Sequence, residues 1–398
     1  MSLFKKLSAE QKKTYIFIGG AGCMVLGLII YGLYTHRPQP NDTYSKTLSS
    51  NTALESRVLF GGDVYWGRHM NDWSQASPLK EAYPFSRLHE LNRDKYDAWV
   101  VNLECPAIPG IKQPIGFVPE LWEFNCDTDY LKEAAKWFTA VSLGNNHIAN
   151  QKREIGQETT RKTLDEYGIQ HFGGFNPHNK DDVCNVISLP ARARINGEQK
   201  DVQLPVAMCG YHGVYYTVTD SAIAEIQKYA KYMPVISYPH MGREYQATAD
   251  DKRRILYQKM IDNGADAVLG NHPHWVQPVE EYKGKPIFYS MGNFIFDQQF
   301  SPEVMRAATV DVRFTLDEGA ATSEQLQAWI DLGQRCVQDN DDCLAIAEQQ
   351  QLTKLPIHLS FDIISLDLSN QITKKADMRL HEEVLTRLNW HEIKTKLR

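Results

Sequence analysis

Short apolar runs that end in polar residues recur along the chain from residue 57 onwards. They are rich in Val, Ile and Ala and too short for typical helices, so they predict buried strands. The runs and their polar ends are RVLFGGD at Asp63, DAWVVNLE at Glu104, FTAVSLGNNH at His147, MPVISYPH at His240 and ADAVLGNHPH at His274.

Helix-like stretches lie between these runs, at residues 156–167, 221–232 and 249–262, and several end near a glycine. Strands that alternate with helices predict an α/β fold. Ligands bind such sheets beyond the carboxyl ends of the strands. We therefore expect the polar ends of the runs to converge on one edge of the sheet.

Three later segments extend this pattern. Residues 317–355 are acidic and rich in Gln, and they predict a mostly helical insertion for which we see no chemistry. Residues 359–368 alternate as a late strand. Residues 378–398 predict an amphipathic helix, either packed on the body of the domain or solvated on its surface.

The N-terminal region contains one long apolar stretch. Residues 14–35 carry no charge, and about 20 apolar residues suffice to cross a membrane as a helix. Four lysines precede the stretch and only Arg37 follows it closely, so the positive-inside rule places residues 1–13 in the cytoplasm as a basic tail. We predict a single-pass signal anchor, with everything after it outside the cytoplasm.

Two processing alternatives exist for this stretch. A cleaved signal peptide fits less well, because the apolar run is long and no A-x-A pattern follows it. The sequence GAGC at 20–23 resembles a lipoprotein cleavage site, but the longer apolar run follows Cys23. Residues 36–56 are polar, with the composition of a linker, so residues 57–398 should form the folded domain.

Composition narrows the class of function. The chain has 43 Lys and Arg against 49 Asp and Glu, a net charge of −6, and no dense basic run beyond the N-terminus, which argues against nucleic-acid binding. The domain carries an even number of cysteines in a compartment that could be oxidising. Cys336 and Cys343 could close a small loop, but about 15 connectivities exist for six cysteines. The other four are Cys105, Cys126, Cys184 and Cys209.

The residue types at the strand ends suit a metal centre. Carboxylates together with neutral imidazoles bind Zn, Fe or Mn, and an acidic bridge flanked by histidines is usual in two-metal hydrolytic sites. One Asp after a strand is more often a turn or cap residue, and one His is more often on the surface or in a hydrogen-bonded core. Potential ligands at the ends of successive strands are hard to explain by capping alone, so the joint pattern favours a site.

The motifs at these positions resemble the CapA family of poly-γ-glutamate capsule biosynthesis proteins, also called PgsA. They are GDVYWGR (62–68), VNLECP (101–106), LGNNHIAN (143–150), PHMGREY (239–245) and GADAVLGNHPHWVQPVEEYKGKPIFYSMGNFIFD (264–297). The resemblance covers residues 57–316 and keeps the order of the motifs. It implies an α/β calcineurin-like metallophosphoesterase fold, a four-layer α/β/β/α sandwich, behind one N-terminal transmembrane helix.

The resemblance also implies two divalent metal ions, and the ligand types suit Mn, Fe or Zn. Asp63 would bind the first metal, and Glu104 would bridge the two. His147 would be the catalytic general acid near the leaving group. The remaining implied ligands are Asn146, His240 and His272 on the second metal and His274 on the first.

The chain departs from the metallophosphoesterase pattern at three places. Tyr65 stands where a His two residues after the Asp normally binds the first metal, so that metal loses a ligand; the CapA family commonly lacks this His too. Asn271 stands where many relatives have a further His. Asn150 and Gln151 stand where an Asp often follows the NNH motif.

Further residues are expected to contact substrate or to orient the ligands. Arg68 could clamp a phosphate or carboxylate with two parallel hydrogen bonds, or it could be an ordinary surface arginine. Small residues in the last motif, such as Gly292, would allow close approach of a ligand. Glu244 and Tyr245 could orient the histidines. The predicted substrate-binding residues are Arg68, Asn145, Glu244, Ser290 and Asn293.

Three functions remain open at this point. The leading hypothesis is a cell-membrane protein whose extracytoplasmic CapA-like domain serves synthesis or export of poly-γ-glutamate or a similar anionic polymer. The resemblance implies poly-γ-glutamate synthetase or export subunits as partners. The second hypothesis is a stand-alone extracytoplasmic metallophosphatase or phosphodiesterase, and the third is a non-catalytic polymer-binding scaffold subunit.

Overall fold

A computed structural model of the chain describes residues 47–113, 116, 123–338 and 342–397. These residues form a mixed α/β fold around one extended sheet. Its strands are β1 (Thr52–Val64), β2 (Ala98–Leu103), β3 (Ala140–Ser142), β4 (Gln170–Phe172), β5 (Cys184–Ile195), β6 (Glu198–His212), β7 (Val235–His240), β8 (Ala267–Leu269), β9 (Val279–Tyr282), β10 (Lys285–Phe288), β11 (Asn293–Ile295), β12 (Arg306–Asp317), β13 (His358–Asp367) and β14 (Lys374–Lys375). The α-helices among the described residues are α1 (Arg68–Ala76), α2 (Leu131–Ala134), α3 (Arg153–Glu166), α4 (Asp220–Ile223), α5 (Ile226–Ala230), α6 (Asp251–Asp262), α7 (Ser323–Gln338), α8 (Asp342–Gln349), α9 (Met378–Leu388) and α10 (Trp390–Lys394).

The long strand β1 joins two parts of this sheet. Its first half pairs antiparallel with β12 and β5, and its second half pairs parallel with β2 and β11. Alternate side chains of β1 enter two apolar cores, with Val58 and Phe60 in one and Leu59 in the other. Burial on both faces explains why this stretch of sequence is almost continuously apolar.

Parallel strands occur in two groups. Strands β1 to β4 are parallel in chain order, with β11 also parallel to β1. Strands β6, β7, β8 and β10 form the second group. Side chains at the carboxyl ends of the two groups meet, since Asp63 Oδ1 lies 3.4 Å from His240 Nδ1.

Strands β5 and β6 form a long hairpin that the sequence analysis did not predict. The turn Asn196-Gly197 joins them, with φ of 53° and 82°. Asn-Gly favours such turns, because both residues tolerate positive φ. Helix α7 packs on the hairpin, where Ser188 Oγ donates to the Gly333 carbonyl at 2.9 Å. The segment 317–355, expected to be a helical insertion, contains α7 and α8, and α7 is part of the packed fold.

The folded part of the chain begins earlier than Arg57. Strand β1 starts at Thr52, so the last part of the expected 36–56 linker belongs to the sheet. Leu48 and Leu54 are 4% and 1% exposed. The apolar side chains before Arg57 are therefore part of the core, and the polar composition around them concealed this.

Two of the expected helices are interrupted. The stretch 221–232 contains the short helices α4 and α5. The stretch 378–398 contains α9 and α10, which are separated by Asn389 at a φ of 55°. Asn tolerates this left-handed conformation better than most residues. Val384 and Leu388 are buried, so this C-terminal segment packs on the body of the domain.

Three disulfides join the six cysteines of the domain. They are Cys105–Cys126, Cys184–Cys209 and Cys336–Cys343. The last is the small loop that the sequence spacing allowed. Cys184 and Cys209 are direct partners in the β5–β6 register, so that pairing follows from a hairpin which the sequence analysis did not include.

The apolar stretch at 14–35, expected to be the membrane anchor, lies outside the described residues, as does the basic tail at 1–13. Within the described ranges, no helix is both long enough and apolar enough to span a bilayer. The anchor remains a prediction.

Candidate functional site

Strand register places polar residues side by side at the ends of the parallel strands. Asp63 of β1 lies between Asn102 of β2 and Asn293 of β11. His240 of β7 forms a bridge with Asn271, just after β8. The expected convergence on one edge of the sheet follows from this register.

Close approach of β1 and the turn before β11 brings Asp63 to Asn293. An added Cβ at Gly62 would lie 1.7 Å from the carbonyl oxygen of Gly292. That same carbonyl accepts a hydrogen bond from Asp63 N–H at 3.2 Å. Gly292 has a φ of 76°, which glycine adopts without steric cost. Glycine at position 62 is therefore required for the Asp63 carboxylate to reach its place.

Three potential ligand atoms surround Nε2 of His240. Asn146 Oδ1 lies 2.7 Å away, His272 Nδ1 lies 3.1 Å away and Glu104 Oε1 lies 3.6 Å away. The four residues follow or end four different strands, β2, β3, β7 and β8. The structure thus brings together all four residues that the resemblance assigns to the second metal.

The residues expected at the first metal lie around His274. Its Nδ1 is 2.8 Å from Asn293 Oδ1 and 3.4 Å from Asp63 Oδ2, and its Nε2 is 4.0 Å from Glu104 Oε1. Asn293 Nδ2 donates to the Val304 carbonyl, which orients the amide so that its oxygen accepts from His274 Nδ1–H. Nε2 of His274 is then the nitrogen left to bind a metal. This set offers one donor fewer than the set around His240.

The segment His272–His274 has an unusual backbone. The φ angle is 95° at His272 and 57° at His274, and residues other than glycine rarely adopt positive φ. His272 N–H donates to Asp63 Oδ2 at 3.1 Å, and Tyr245 N–H donates to the Pro273 carbonyl at 2.9 Å. Surrounding contacts must hold such strained backbone in place, and strained residues of this kind cluster at functional sites.

Burial shifts the pKa of each titratable group in the cluster towards its neutral form. Burial, then the charges of Asp63 and Glu244, raise the pKa of Glu104 well above its usual value. Burial also raises the pKa of Asp63, although the charge on His274 opposes this. Burial lowers the pKa of the imidazoles of His240, His272 and His274, which favours their neutral form. A neutral imidazole offers a lone pair to a metal.

The donor chemistry of the cluster fits divalent metal ions. Glu104 is 1% exposed, and among the described residues its Oε2 has no hydrogen-bond partner. A buried carboxylate oxygen without a partner is costly, and a bound cation would remove that cost. In each of two groups of three residues, the potential ligand atoms lie within 4.8 Å of one another, and Glu104 belongs to both groups. The groups are Asp63, Glu104 and His240, and Glu104, His272 and His274.

His147 lies beside the carboxylate of this cluster. Its Nε2 is 3.9 Å from Glu104 Oε1, and its Nδ1 is 2.6 Å from Asn150 Oδ1. Its ring stacks on Phe124, with centroids 3.7 Å apart and planes inclined by 6°. Burial lowers the pKa of His147 to about 4. Nε2 of His147 therefore faces Glu104, while Nδ1 is hydrogen-bonded to Asn150.

Arg68, expected to clamp a substrate anion, is already bound to a carboxylate. Its Nε and Nη2 donate to Asp297 at 2.9 and 2.6 Å. The Asp297 side chain is 2% exposed, and a buried carboxylate needs such a partner. The guanidinium also lies over the Phe124 ring, 4.6 Å from its centroid. The structure therefore shows an internal ion pair where the sequence predicted a clamp.

Asn145, also expected to contact substrate, is fully buried. Its Nδ2 donates to the Leu103 carbonyl at 2.8 Å. Its Oδ1 accepts from the backbone N–H groups of His147 and Ile148 at 3.1 and 3.0 Å. The side chain is thus used to shape the turn that carries Asn146 and His147.

The other predicted substrate residues fall into two environments. Ser290 is buried, and its Oγ accepts from Gly292 N–H at 3.2 Å, so it shapes the turn before β11. Asn293 is buried and orients His274. Glu244 is exposed, and its charge contributes to the raised pKa of Glu104.

Asn102 is a site residue that the sequence analysis missed. Its Nδ2 donates to Asp63 Oδ1 at 2.8 Å and lies 3.1 Å from His240 Nδ1. The available signal was its place two residues before Glu104 in the same motif. A further buried histidine, His212, is in register with His240. Backbone groups engage both of its ring nitrogens, so it is not free to bind a metal.

Residues 57–298, more than half of the chain, match the family described as "Bacterial capsule synthesis protein PGA_cap". The chain belongs to this family. PGA_cap is part of a metallophosphoesterase-like superfamily, and the matched range contains every candidate metal ligand described above.

Two curated relatives have names that refer to PGA or capsule biosynthesis. The "PGA biosynthesis protein CapA" of Bacillus subtilis (strain 168) is 47% identical over 178 residues, which is 40% of this chain and 43% of that protein. The "Capsule biosynthesis protein CapA" of Bacillus anthracis is 30% identical over 177 residues, 42% of each chain. The matches therefore span less than half the length of either relative.

Among solved structures, the chain is similar to the protein TT1561 of Thermus thermophilus. The identity is 8%, the TM-score is 0.34, and the alignment covers 64% of this chain and 94% of the other. A likeness at this level bears on neither fold nor function.

Proposed function

We propose that this chain is a membrane-anchored CapA-like protein that acts in the biosynthesis or export of poly-γ-glutamate or a similar anionic surface polymer. In this proposal the cluster at the sheet edge is a metal-dependent, phosphoesterase-like site. Membership of PGA_cap and the names of the two Bacillus relatives support the biological role. The anchor at 14–35 would place the domain outside the cytoplasm, beside synthetase or export subunits.

The observation that carries the metal site is the environment of Glu104. The Nε2 atoms of His147, His240 and His274 lie within 4 Å of Glu104 Oε1, and Glu104 Oε2 has no hydrogen-bond partner in the described part of the chain. Burial of the Glu104 carboxylate and these imidazole nitrogens with so few hydrogen-bond donors is unfavourable without a cation. Two divalent ions, of Mn, Fe or Zn, would suit these ligands.

The residues that would hold these ions fall into two sets with Glu104 in common. By the resemblance, Asn146, His240 and His272 would complete the set with four ligands, and Asp63 and His274 the set with three. The ligand atoms that already lie within 4.8 Å of one another instead join Asp63 to His240, and His272 to His274, each pair with Glu104. When bound, the ions would polarise a phosphoryl oxygen and activate water. The set with Asp63 and His274 lacks a fourth ligand, because Tyr65 stands in the position of the usual His. We therefore expect this set to bind its ion more weakly.

His147 would handle the proton of the leaving group. Its Nδ1–H is held by Asn150, so Nε2 is the nitrogen that faces the cluster. Burial keeps the pKa of His147 near 4, and the negative charge of a bound phosphoester would raise it. An imidazolium formed there would donate its Nε2 proton to the leaving oxygen and return to the neutral form.

A non-catalytic, polymer-binding scaffold is the second candidate. Tyr65 occupies the position of the usual ligand, its ring stacked on Phe124 at 4.2 Å. The donors of Arg68 that could hold an anion are paired with Asp297. The first feature favours a protein that kept the fold without the reaction, and the second removes one anion-binding group from either candidate function.

Metal analysis of the purified full-length protein tests the proposal. We expect up to two equivalents of transition metal by mass spectrometry when metal is supplied during purification. The double variant Asn146→Ala, His272→Ala should lose most of it. A matched double variant of exposed residues at the opposite end of the sheet from Asp63, Asn51→Ala, His358→Ala, should keep the wild-type content. A folded wild type with no metal under these conditions would remove the enzymatic proposal and leave the scaffold.

A metal-loaded protein would then be assayed for release of phosphate or alcohol from phosphomonoesters and phosphodiesters. Hydrolysis that falls at least about 100-fold in His147→Gln would support the general-acid role, since a positioned acid contributes roughly 10²–10⁴-fold. Hydrolysis unchanged in His147→Gln would refute that role. No hydrolysis in a fully loaded protein would favour binding over catalysis.

A further inference from the structure

The amide of Asn150 receives two hydrogen bonds on one oxygen. Its Oδ1 accepts from the backbone N–H of Phe124 at 3.0 Å, and it lies 2.6 Å from His147 Nδ1. A backbone N–H can only donate, so its contact fixes which end of the amide is the oxygen. Because that oxygen can only accept, His147 Nδ1 must carry a proton.

The Phe124 side chain acts on the same imidazole from its flat face. Its ring lies parallel to the His147 ring with centroids 3.7 Å apart, and Tyr65 also stacks on Phe124, with centroids 4.2 Å apart. Phe124 is 4% exposed. The His147 ring is thus confined in its plane by a buried aromatic stack and in its rotation by the Asn150 contact.

A disulfide holds this part of the chain against the site. Cys126 is joined to Cys105, the residue directly after Glu104. Cys126 N–H also donates to the Pro106 carbonyl at 2.8 Å, and Asn125 Oδ1 accepts from Ile108 N–H at 3.3 Å. Residues 124–126 are therefore tied to the end of β2, far along the chain from His147.

We propose that Phe124, held in place by the Cys105–Cys126 disulfide, is a positioning residue that acts with Asn150 to fix the ring plane and the Nδ1–H tautomer of His147. Its backbone N–H sets the orientation of the Asn150 amide, and its ring sets the plane of the imidazole. The general-acid role of His147 belongs to the function proposed above, but its tautomer can be measured without substrate or metal.

The tautomer can be read by magic-angle-spinning NMR of the full-length protein labelled with ¹⁵N-histidine. A difference spectrum against His147→Gln assigns the His147 nitrogens. We expect wild type to show one tautomer, with Nδ1 protonated. Asn150→Asp keeps an acceptor for both donors and should retain this tautomer, whereas Asn150→Leu should give a mixture.

The disulfide is tested in the same spectrum. Replacing Cys105 and Cys126 with serine should allow residues 124–126 to move and should give a mixed tautomer at His147. The matched control replaces the remote pair Cys336 and Cys343 with serine and should leave His147 unchanged. A single Nδ1–H tautomer in both folded double variants would overturn the role of the Cys105–Cys126 disulfide.

The ring contact has its own measurement, the rate at which diethyl pyrocarbonate modifies His147. Phe124→Leu keeps the backbone N–H but removes the stack, so the rate should rise several-fold. His391, which is 66% exposed, should react equally in both proteins and serves as the internal control. An unchanged rate at His147 would overturn the role of the Phe124 ring. Neither the NMR spectrum nor the modification rate depends on hydrolysis. Failure of the proposed enzymatic function can therefore be distinguished from failure of this positioning role.

Discussion

Replacing Gly62 with alanine is expected to lower the stability of the fold and to displace Asp63, a ligand of the proposed metal site. The added Cβ would lie 1.7 Å from the Gly292 carbonyl oxygen, and such contacts are essentially not seen below 3.0 Å. The two backbone segments would therefore have to separate by about 1.3 Å. Neither atom belongs to a flexible side chain, so the strain cannot be relieved by a rotamer change.

The size of the effect follows from the contacts that this separation breaks. The hydrogen bond from Asp63 N–H to Gly292 O is 3.2 Å long and would be lost at a cost of about 1 kcal/mol. Overpacking typically adds roughly 1–3 kcal/mol. A total of about 2–4 kcal/mol corresponds to a fall in Tm of roughly 4–8 °C, taking about 2 °C per kcal/mol for a domain of this size.

Thermal unfolding of the full-length protein, with metal content measured on the same samples, checks this prediction. Gly62→Ala should lower Tm and also reduce bound metal, because displacement of β1 moves Asp63 away from His272 N–H. Gly174→Ala is the control, since its added Cβ would meet its nearest atom at 3.1 Å, in a side chain rather than in backbone. A Tm and a metal content equal to wild type in Gly62→Ala would refute the described contact between β1 and the turn before β11.

Two further predictions concern single side chains. Burial alone would raise the pKa of Asp266, but the charges of Lys354 and Lys285 lower it below its usual value, so its contribution to stability is present at neutral pH and is lost as pH falls through the lowered pKa. Asp266→Asn should therefore destabilise at pH 7, and its difference from wild type in urea unfolding should shrink below about pH 4; a constant difference from pH 7 to pH 3 would contradict this. Asn293→Leu should weaken metal binding by roughly 10–100-fold, because His274 loses the partner that directs its Nε2 to the cluster, while Asn293→Asp should retain most of the affinity in a calorimetric titration; equal affinities in both variants would show that this contact does not orient the ligand.

Much of the architecture near the site could be predicted from local sequence pattern. Short apolar runs, each closed by a polar residue, gave the positions of the strands that carry Asp63, Glu104 and His240. Hydrophobic periodicity is a local property, so it is visible without knowledge of the fold. The hairpin of β5 and β6 was missed, although the Asn196-Gly197 dipeptide was a usable signal for it.

Roles that depend on partners far along the chain could not be predicted. Arg68 is paired with Asp297, 229 positions away, because burial of that carboxylate requires a cation. Asn145 was expected at a substrate, but its Nδ2 donates to the Leu103 carbonyl, 42 positions away, and its Oδ1 accepts from His147 N–H. In each case the partner of the side chain was decided by packing.

The sequence by itself determined which ligand types stand at the strand ends and in what order, because strand propensity and residue chemistry are encoded locally. The tertiary structure alone decided how those ends meet: through the parallel register of β1 with β2 and β11, through backbone approach at Gly62, and through the Cys105–Cys126 disulfide that brings Phe124 to His147. These contacts join segments that are distant in the chain, and their geometry is set by close packing and by the need to satisfy buried polar groups.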